Sequence, residues 1–443
     1  MKGGLLLKTK FFIIVFVIFC LTASFAAETV RKEVLPNGMT VLIQPVDEDI
    51  TAIEVFVKTG VMNEEKSQCG ICGLITPLML RGTKTISARD INMEIESLGG
   101  TIQAISSQDY SEYYIVSTAD YFDTGLRIIS DIILHPAFLQ EEIDKEKQNI
   151  LLEMEKQQNR PFAMLNDMFN TTLYQRHPYG RPALGVRQNI EKLTREDIIN
   201  FYSRNYVPGN IVVSIAGKVE PNSTMEKVKT AFAGLPDSPS PALNNPDEPK
   251  PLLWREDYRS SGGDAGWFFL GYPAPSILSP DFPAMEVLQL VIGGGMNSRM
   301  WVKLREKKGL AYDLGSFMTP TIGPGRMVTF IATTPGKVNE SRKAIIDEVR
   351  DIRQGKITNE EIEIMKTYRV GQYYINEETV KSKAYNIGLY EILGTGYQYY
   401  LDYPGLIQKV TKEDIVRVAN EYLTNPVFVV ISPKRPDGIE SGR

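Results

Sequence analysis

The sequence is written twice. Leu193-Thr194-Arg195-Glu196-Asp197-Ile198 leads into the apolar run 210–215, and Val410-Thr411-Lys412-Glu413-Asp414-Ile415 leads into the run 425–431, close to 217 positions later. Leu139-Gln140-Glu141-Glu142-Ile143 returns as Thr358-Asn359-Glu360-Glu361-Ile362 at an offset of 219. Between the copies, Pro236, Pro239, Pro241, Pro246, Pro249 and Pro251 mark an extended linker over 236–256. The 443 residues therefore divide into a leading segment 1–26 and two pieces of similar size, 27–235 and 257–443. Within the first piece the β-branched runs 53–57, 113–116 and 212–215 read as strands, and 124–134 and 142–156 carry a helical period. Strands and helices in such runs predict an α+β fold: two tandem homologous α/β sandwich domains, each an antiparallel sheet with helices on one face, enclosing a cleft.

Residues 1–26 read as a signal peptide. Lys2, Lys8 and Lys10 form the positive start, 11–21 is an apolar run short for a membrane span, and Ser24-Phe25-Ala26 places small residues at the cleavage positions; the competing reading is an uncleaved anchor. Cleavage after Ala26 gives a periplasmic chain with no stable membrane span. Loss of three lysines takes the net charge from −5 to 46 − 54 = −8. An acidic exported chain is a poor partner for nucleic acid and a reasonable one for peptides.

The chain has two histidines, His135 and His177, each followed by proline and 42 positions apart. They do not form a helical ligand pair. Cys69 and Cys72, the cysteines left after cleavage, form a CxxC that reads as a disulfide or a redox pair; no further cysteine completes a metal set. Asp123-Thr124-Gly125 spells an aspartic-protease triplet but lies in a helical pattern without a second copy. The glycine-rich stretch Gly293-Gly294-Gly295 matches neither phosphate-loop spacing.

The stretch Gly73-Leu74-Ile75-Thr76-Pro77-Leu78-Met79-Leu80-Arg81-Gly82-Thr83 resembles the HxxEH helix of the M16 zinc peptidases, a family that includes pitrilysin and the mitochondrial processing peptidase. Anchored on Arg81-Gly82-Thr83, the two histidine positions fall on Gly73 and Pro77 and the glutamate on Thr76. All three functional residues are replaced. The family's downstream glutamates correspond to Glu153 and Glu146. Leu98-Gly99-Gly100-Thr101-Ile102-Gln103-Ala104 resembles the edge strand along which these enzymes lay their substrate, with Thr101, Ile102, Gln103 and Ala104 as the pairing residues. His177-Pro178-Tyr179-Gly180 is similar to a family loop, which makes His177 structural. Leu304-Arg305 through Gly309-Leu310-Ala311-Tyr312 resembles the segment carrying the family's Arg/Tyr pair, here Arg305 and Tyr312.

HxxEH works because histidines at i and i+4 share a helix face and hold zinc while the glutamate activates water. Glycine, threonine and proline cannot do this. Arg305 and Tyr312 can donate to a substrate carbonyl and its developing oxyanion. The resemblance thus implies a non-catalytic subunit of a heteromeric zinc protease. This chain would hold no cofactor. Its partner would be an M16 homologue that carries HxxEH and zinc, and its substrate a peptide. The alternative is a non-proteolytic peptide-binding or scaffold protein of the cell envelope.

Overall fold

The computed structural model describes residues 30–236 and 238–438. The signal peptide assigned to 1–26 lies outside them, as do 439–443. Among the described residues no helix is long and apolar enough to cross a membrane.

In the first half, β1 (Arg31–Val34), β2 (Thr40–Pro45), β3 (Ile50–Val57), β4 (Thr101–Ser106), β5 (Ser111–Thr118) and β6 (Ile211–Gly217) form one sheet in the order β1-β2-β6-β3-β5-β4. In the second half, β7 (Arg255–Ser260), β8 (Gly266–Ala274), β9 (Asp313–Met318), β10 (Gly325–Thr333) and β11 (Val427–Ser432) follow the order β7-β11-β8-β10-β9. Those five strands take the places of β2, β6, β3, β5 and β4, so the sequence repeat is a repeat of topology.

Two features differ from the sequence expectation. The sheets are mixed: β2 and β6 run parallel, as do β7 and β11, while the other pairs are antiparallel. The last strand of each half returns beside the first after a long helical excursion, and such connections permit parallel pairing where a tight hairpin does not. Helices also cover both faces. One face of the first sheet, with Val41, Ile43, Ile53, Val55, Ile115, Val213 and Ile215, packs on helices of its own half such as Phe122–Leu134 and Pro221–Ala231. The opposite face, with Leu42, Phe56 and Val212, is covered by the helix Val380–Ile392 of the second half. The exchange is reciprocal. The helix Pro161–Leu173 of the first half lies on β7, β8 and β11, setting Leu165, Met168, Phe169 and Leu173 against Phe269, Val328, Val427 and Val429.

Glycines permit this close approach. A Cβ at Gly388 would lie 2.3 Å from Ser214 Oγ and 2.4 Å from the Phe56 ring, and one at Gly271 would meet the Phe169 ring at 2.6 Å. Ser214 Oγ donates to the Ala384 carbonyl at 2.7 Å, pinning the borrowed helix. The linker is also tied down. Glu248 accepts from the backbone N–H groups of Gln175, Arg176 and His177 at 3.0, 2.8 and 2.9 Å, and His177 Nε2 lies 3.0 Å from Asn245 Oδ1. His177 is buried, and burial lowers its pKa; its role is structural.

A buried carboxylate joins the halves beside the β4–β5 turn. Asp109 accepts from Tyr179 OH and from Ile322 N at 3.0 Å, and Tyr179 OH accepts from Gly323 N at 3.0 Å. Burial pushes Asp109 up to about 6 against the pull of these hydrogen bonds.

Gly388→Ala is expected to lower stability by about 1–3 kcal/mol through overpacking against Phe56, read as a lower thermal midpoint; an unchanged midpoint would contradict the close-packed helix. Asp109 has a folded pKa above its unfolded value. Its stabilising contribution is therefore full below about pH 4 and lost as pH rises through about 6. Asp109→Asn should gain on the wild type by on the order of 2 kcal/mol between about pH 5 and 7.5, measured by thermal melts across that range. A difference independent of pH would refute this.

Candidate functional site

The helix Ile71–Leu78 begins after Gly70, whose φ of 106° lies in the left-handed region that glycine favours. Glu64, buried, caps it from outside: its carboxylate accepts from Gly70 N at 3.1 Å and Cys72 N at 3.0 Å. A carboxylate there satisfies orphan N–H groups and favours the helix dipole. Burial raises the Glu64 pKa.

Gly73 and Pro77 share one half-buried face of this helix, as i and i+4 must. A Cβ at Gly73 would meet nothing within 4 Å. Thr76 points inward: Oγ1 donates to the Cys72 carbonyl at 2.8 Å and lies 3.0 Å from Ser111 Oγ. Pro77 offers no N–H to the Gly73 carbonyl, and the helix ends one residue later. On the neighbouring helix Gln140–Gln157, Glu153 is paired with Arg160 at 2.5 Å, and Glu146, buried, with Arg81 at 3.2 Å. The fold thus brings all five positions onto two packed helices, with each carboxylate engaged by an arginine.

Cys69 and Cys72 are free, buried thiols in this structure. The left-handed turn at Gly70 separates them, and Cys72 Sγ donates to the Gly60 carbonyl at 3.1 Å. Burial, followed by the nearby Glu64, pushes Cys69 up to about 12 and raises Cys72 as well. Thiols held this way are poor nucleophiles, which argues against redox chemistry.

Among the described residues β4 is an edge strand that pairs only with β5, in the register Thr101↔Val116, Ile102↔Ile115, Gln103↔Tyr114 and Ala104↔Tyr113. Ile102 and Ala104 pack into the first half's core, while Thr101 and Gln103 point to the opposite, exposed side. The outer backbone edge is open to an added strand.

In the second half the π-helix Met300–Lys307 carries Arg305, and Tyr312 stands immediately before β9, which is itself an edge strand. Met300 and Leu304 anchor the helix in the core. The Arg305 guanidinium lies over the Trp301 ring, 4.2 Å from its centroid. Tyr312 is 65% exposed, while its backbone N–H is held by the Ala332 carbonyl at 2.8 Å. It is a surface phenol on a fixed backbone, not a core tyrosine. The sequence reading missed two contributors, Glu64 and Trp301. Trp301 was visible in principle, four residues before Arg305 and so on the same helical face. Glu64 had no local signature, because it caps across an intervening turn.

Two family profiles match consecutive parts of the chain. One, described as insulinase (peptidase family M16), matches residues 40–187, and one described as peptidase M16 inactive domain matches 192–368. The chain belongs to the M16 peptidase family. An uncharacterized zinc protease of Rickettsia bellii is 27% identical over 408 residues, covering 91% of this chain and 98% of that protein. The zinc protease PqqE of Helicobacter pylori is 27% identical over 410 residues, covering 90% and 92%. The crystal structure of a protease from Helicobacter pylori superposes with a TM-score of 0.87 at 25% identity, covering 92% of this chain and all of that one. A peptidase M16 inactive domain from Pseudomonas fluorescens shares the fold, with a TM-score of 0.85 at 19% identity.

The zinc implied by this family does not fit the residues at 73–77. Gly73 and Pro77 have no donor atom, the Thr76 hydroxyl is spent on the backbone, and Glu153 and Glu146 are held by arginines. At Gly73 there is nevertheless room for a side chain, since a Cβ there would meet nothing within 4 Å. Gly73→His with Thr76→Glu and Pro77→His is expected to give a chain that retains about one zinc after dialysis. Adding Arg160→Ala should free Glu153 and tighten binding by about tenfold. Metal analysis of the dialysed variants reads this directly; a metal-free triple variant would show that the frame has closed.

Proposed function

We propose that this chain is the non-catalytic subunit of a periplasmic, heteromeric M16 zinc protease. The zinc and HxxEH would reside in a homologous partner, while this chain binds the peptide and stabilises the transition state. The observation that carries the reading is the contrast between the two sides of the site. The metal positions carry no metal-binding donors, whereas the half-buried Arg305 guanidinium and the exposed Tyr312 phenol have no hydrogen-bond partner among the described residues.

The chemistry of these residues is simple. A peptide added to the open edge of β4 would be held by backbone hydrogen bonds and so with little sequence preference. The Arg305 fork and the Tyr312 phenol are donors suited to a carbonyl oxygen whose charge grows as the tetrahedral intermediate forms. Their contribution would appear mainly in kcat, since the interaction strengthens in the transition state.

The test uses the mature chain alone and mixed with an HxxEH-bearing homologue of the same organism. The chain alone should show no zinc-dependent peptidase activity, and the mixture should. Arg305→Ala or Tyr312→Phe should lower kcat of the mixture by about 10²-fold, the usual cost of removing one oxyanion donor. Activity from this chain alone sinks the proposal, and so does a mixture indifferent to both substitutions. The latter result would favour a peptide-binding or scaffold role.

A further inference from the structure

Two arginines flank the core-anchored stretch of the π-helix Met300–Lys307, and they use their donors in opposite ways. Arg299 is buried and fully engaged: Nε and Nη2 meet the two carboxylate oxygens of Glu361 at 2.7 and 3.0 Å, and Nη2 also donates to the Lys356 carbonyl at 2.6 Å. Lys303, one turn on, meets Glu348 at 2.6 Å. These contacts fix the helix to its neighbours Val338–Arg353 and Asn359–Asn376. The Arg305 guanidinium makes no hydrogen bond or ion pair with any described residue; its partner is the face of Trp301, 4.2 Å away. The indole is held in turn, half-buried against the second half's core, with Nε1 donating to Glu306 Oε1 at 3.2 Å.

We propose that Trp301 is the positioning residue for Arg305. This rests on the proposed role of Arg305 as an oxyanion donor. A carboxylate would hold an arginine as firmly, but it would consume the N–H donors and offset the charge meant for the substrate. An aromatic face binds the flat side of the guanidinium and leaves the donors on its edge free. The stack therefore restricts the side chain before the peptide arrives and leaves its donors unspent. Preorganisation of this kind costs no rearrangement when charge develops. The wide π turn, a geometry frequent at functional sites, carries both residues.

The experiment uses the assembled protease with its HxxEH-bearing partner, fluorescein-labelled casein as probe, and the full mature chain in every variant. Trp301→Leu should lower kcat about tenfold with little change in KM. Trp301→Phe, which keeps a stacking face, should recover most of the loss. Thermal midpoint and affinity for the partner should stay at wild-type values in both. In the chain alone, the Arg305 Nε–H resonance should carry a ring-current shift that Trp301→Leu abolishes. The inference is overturned if Trp301→Leu removes that shift yet leaves kcat within about twofold, or if the wild type shows no shift; neither result touches the role of Arg305. If Arg305→Ala leaves activity unchanged, the proposed function fails, and the positioning role fails with it.

Discussion

Each half of this protein makes a sheet that it cannot cover by itself. The face bearing Leu42, Phe56 and Val212 is closed by Val380–Ile392 from the second half, and the face bearing Phe269, Val328 and Val429 by Pro161–Leu173 from the first. The two helices are 219 positions apart, the same offset as the sequence repeat. The duplication thus produced two units that complete one another. A two-sided apolar sheet demands cover on both faces, and the exchange supplies it while fixing how the halves sit. The site inherits that geometry, because Asp109, one turn from β4, binds Ile322 in the hairpin between β9 and β10.

The clasp carries an electrostatic cost. Glu54 on β3 is fully buried and Glu112 on β5 nearly so, both on the face beneath Val380–Ile392, and Lys381 lies 3.8 Å from each. Burial and then the neighbouring Glu112 drive the Glu54 pKa far up, with Lys381 opposing. The Lys381 ammonium also sits 4.0 Å from the Tyr114 ring centroid. Burying charge is rarely a source of net stability, and one cation between two acids selects a docking position rather than adding strength. Together with the glycine at 388, this leaves the borrowed helix little freedom of register.

Much of this was legible in the sequence, and what was hidden has a physical pattern. Strands 53–57, 113–116 and 212–215 announced themselves by β-branched runs, and Thr194-Arg195-Glu196-Asp197 and Thr411-Lys412-Glu413-Asp414 wrote matching capping boxes that open helices in both halves. Such signals are local. Which sheet an amphipathic helix will cover is not local, so the exchange of Pro161–Leu173 and Val380–Ile392 could not be read. The parallel pairing of β2 with β6 was hidden for the same reason. At the site, the family resemblance pointed to Gly73, Thr76, Pro77, Glu146 and Glu153, but not to Arg160 and Arg81, which engage the acids. CxxC spacing allowed a disulfide; the direction of Cys72 Sγ toward the Gly60 carbonyl depends on a turn that spacing does not encode.

The helix Ile71–Leu78 is held by several protein contacts. Glu64 caps its start, Thr76 and Ser111 link it to β5, and Arg81 just beyond its end binds Glu146 on the next helix. The cap satisfies N–H groups that the start of any helix leaves without an intrahelical partner. Beyond Pro77 the chain turns on hydrogen bonds from Leu80 N to the Pro77 carbonyl at 3.1 Å and from Arg81 N to the Leu78 carbonyl at 2.9 Å. Opposite in kind, the Arg305 segment is just as well anchored through Arg299, Met300 and Leu304, yet the side-chain donors of Arg305 and Tyr312 have no hydrogen-bond partner among the described residues. Structural need explains the first arrangement completely. It does not explain the second, since a guanidinium stacked on an indole and a phenol 65% exposed contribute little to holding a fold together. A guanidinium held on an aromatic face with its donors left free is the arrangement that the proposed recognition of a peptide carbonyl requires.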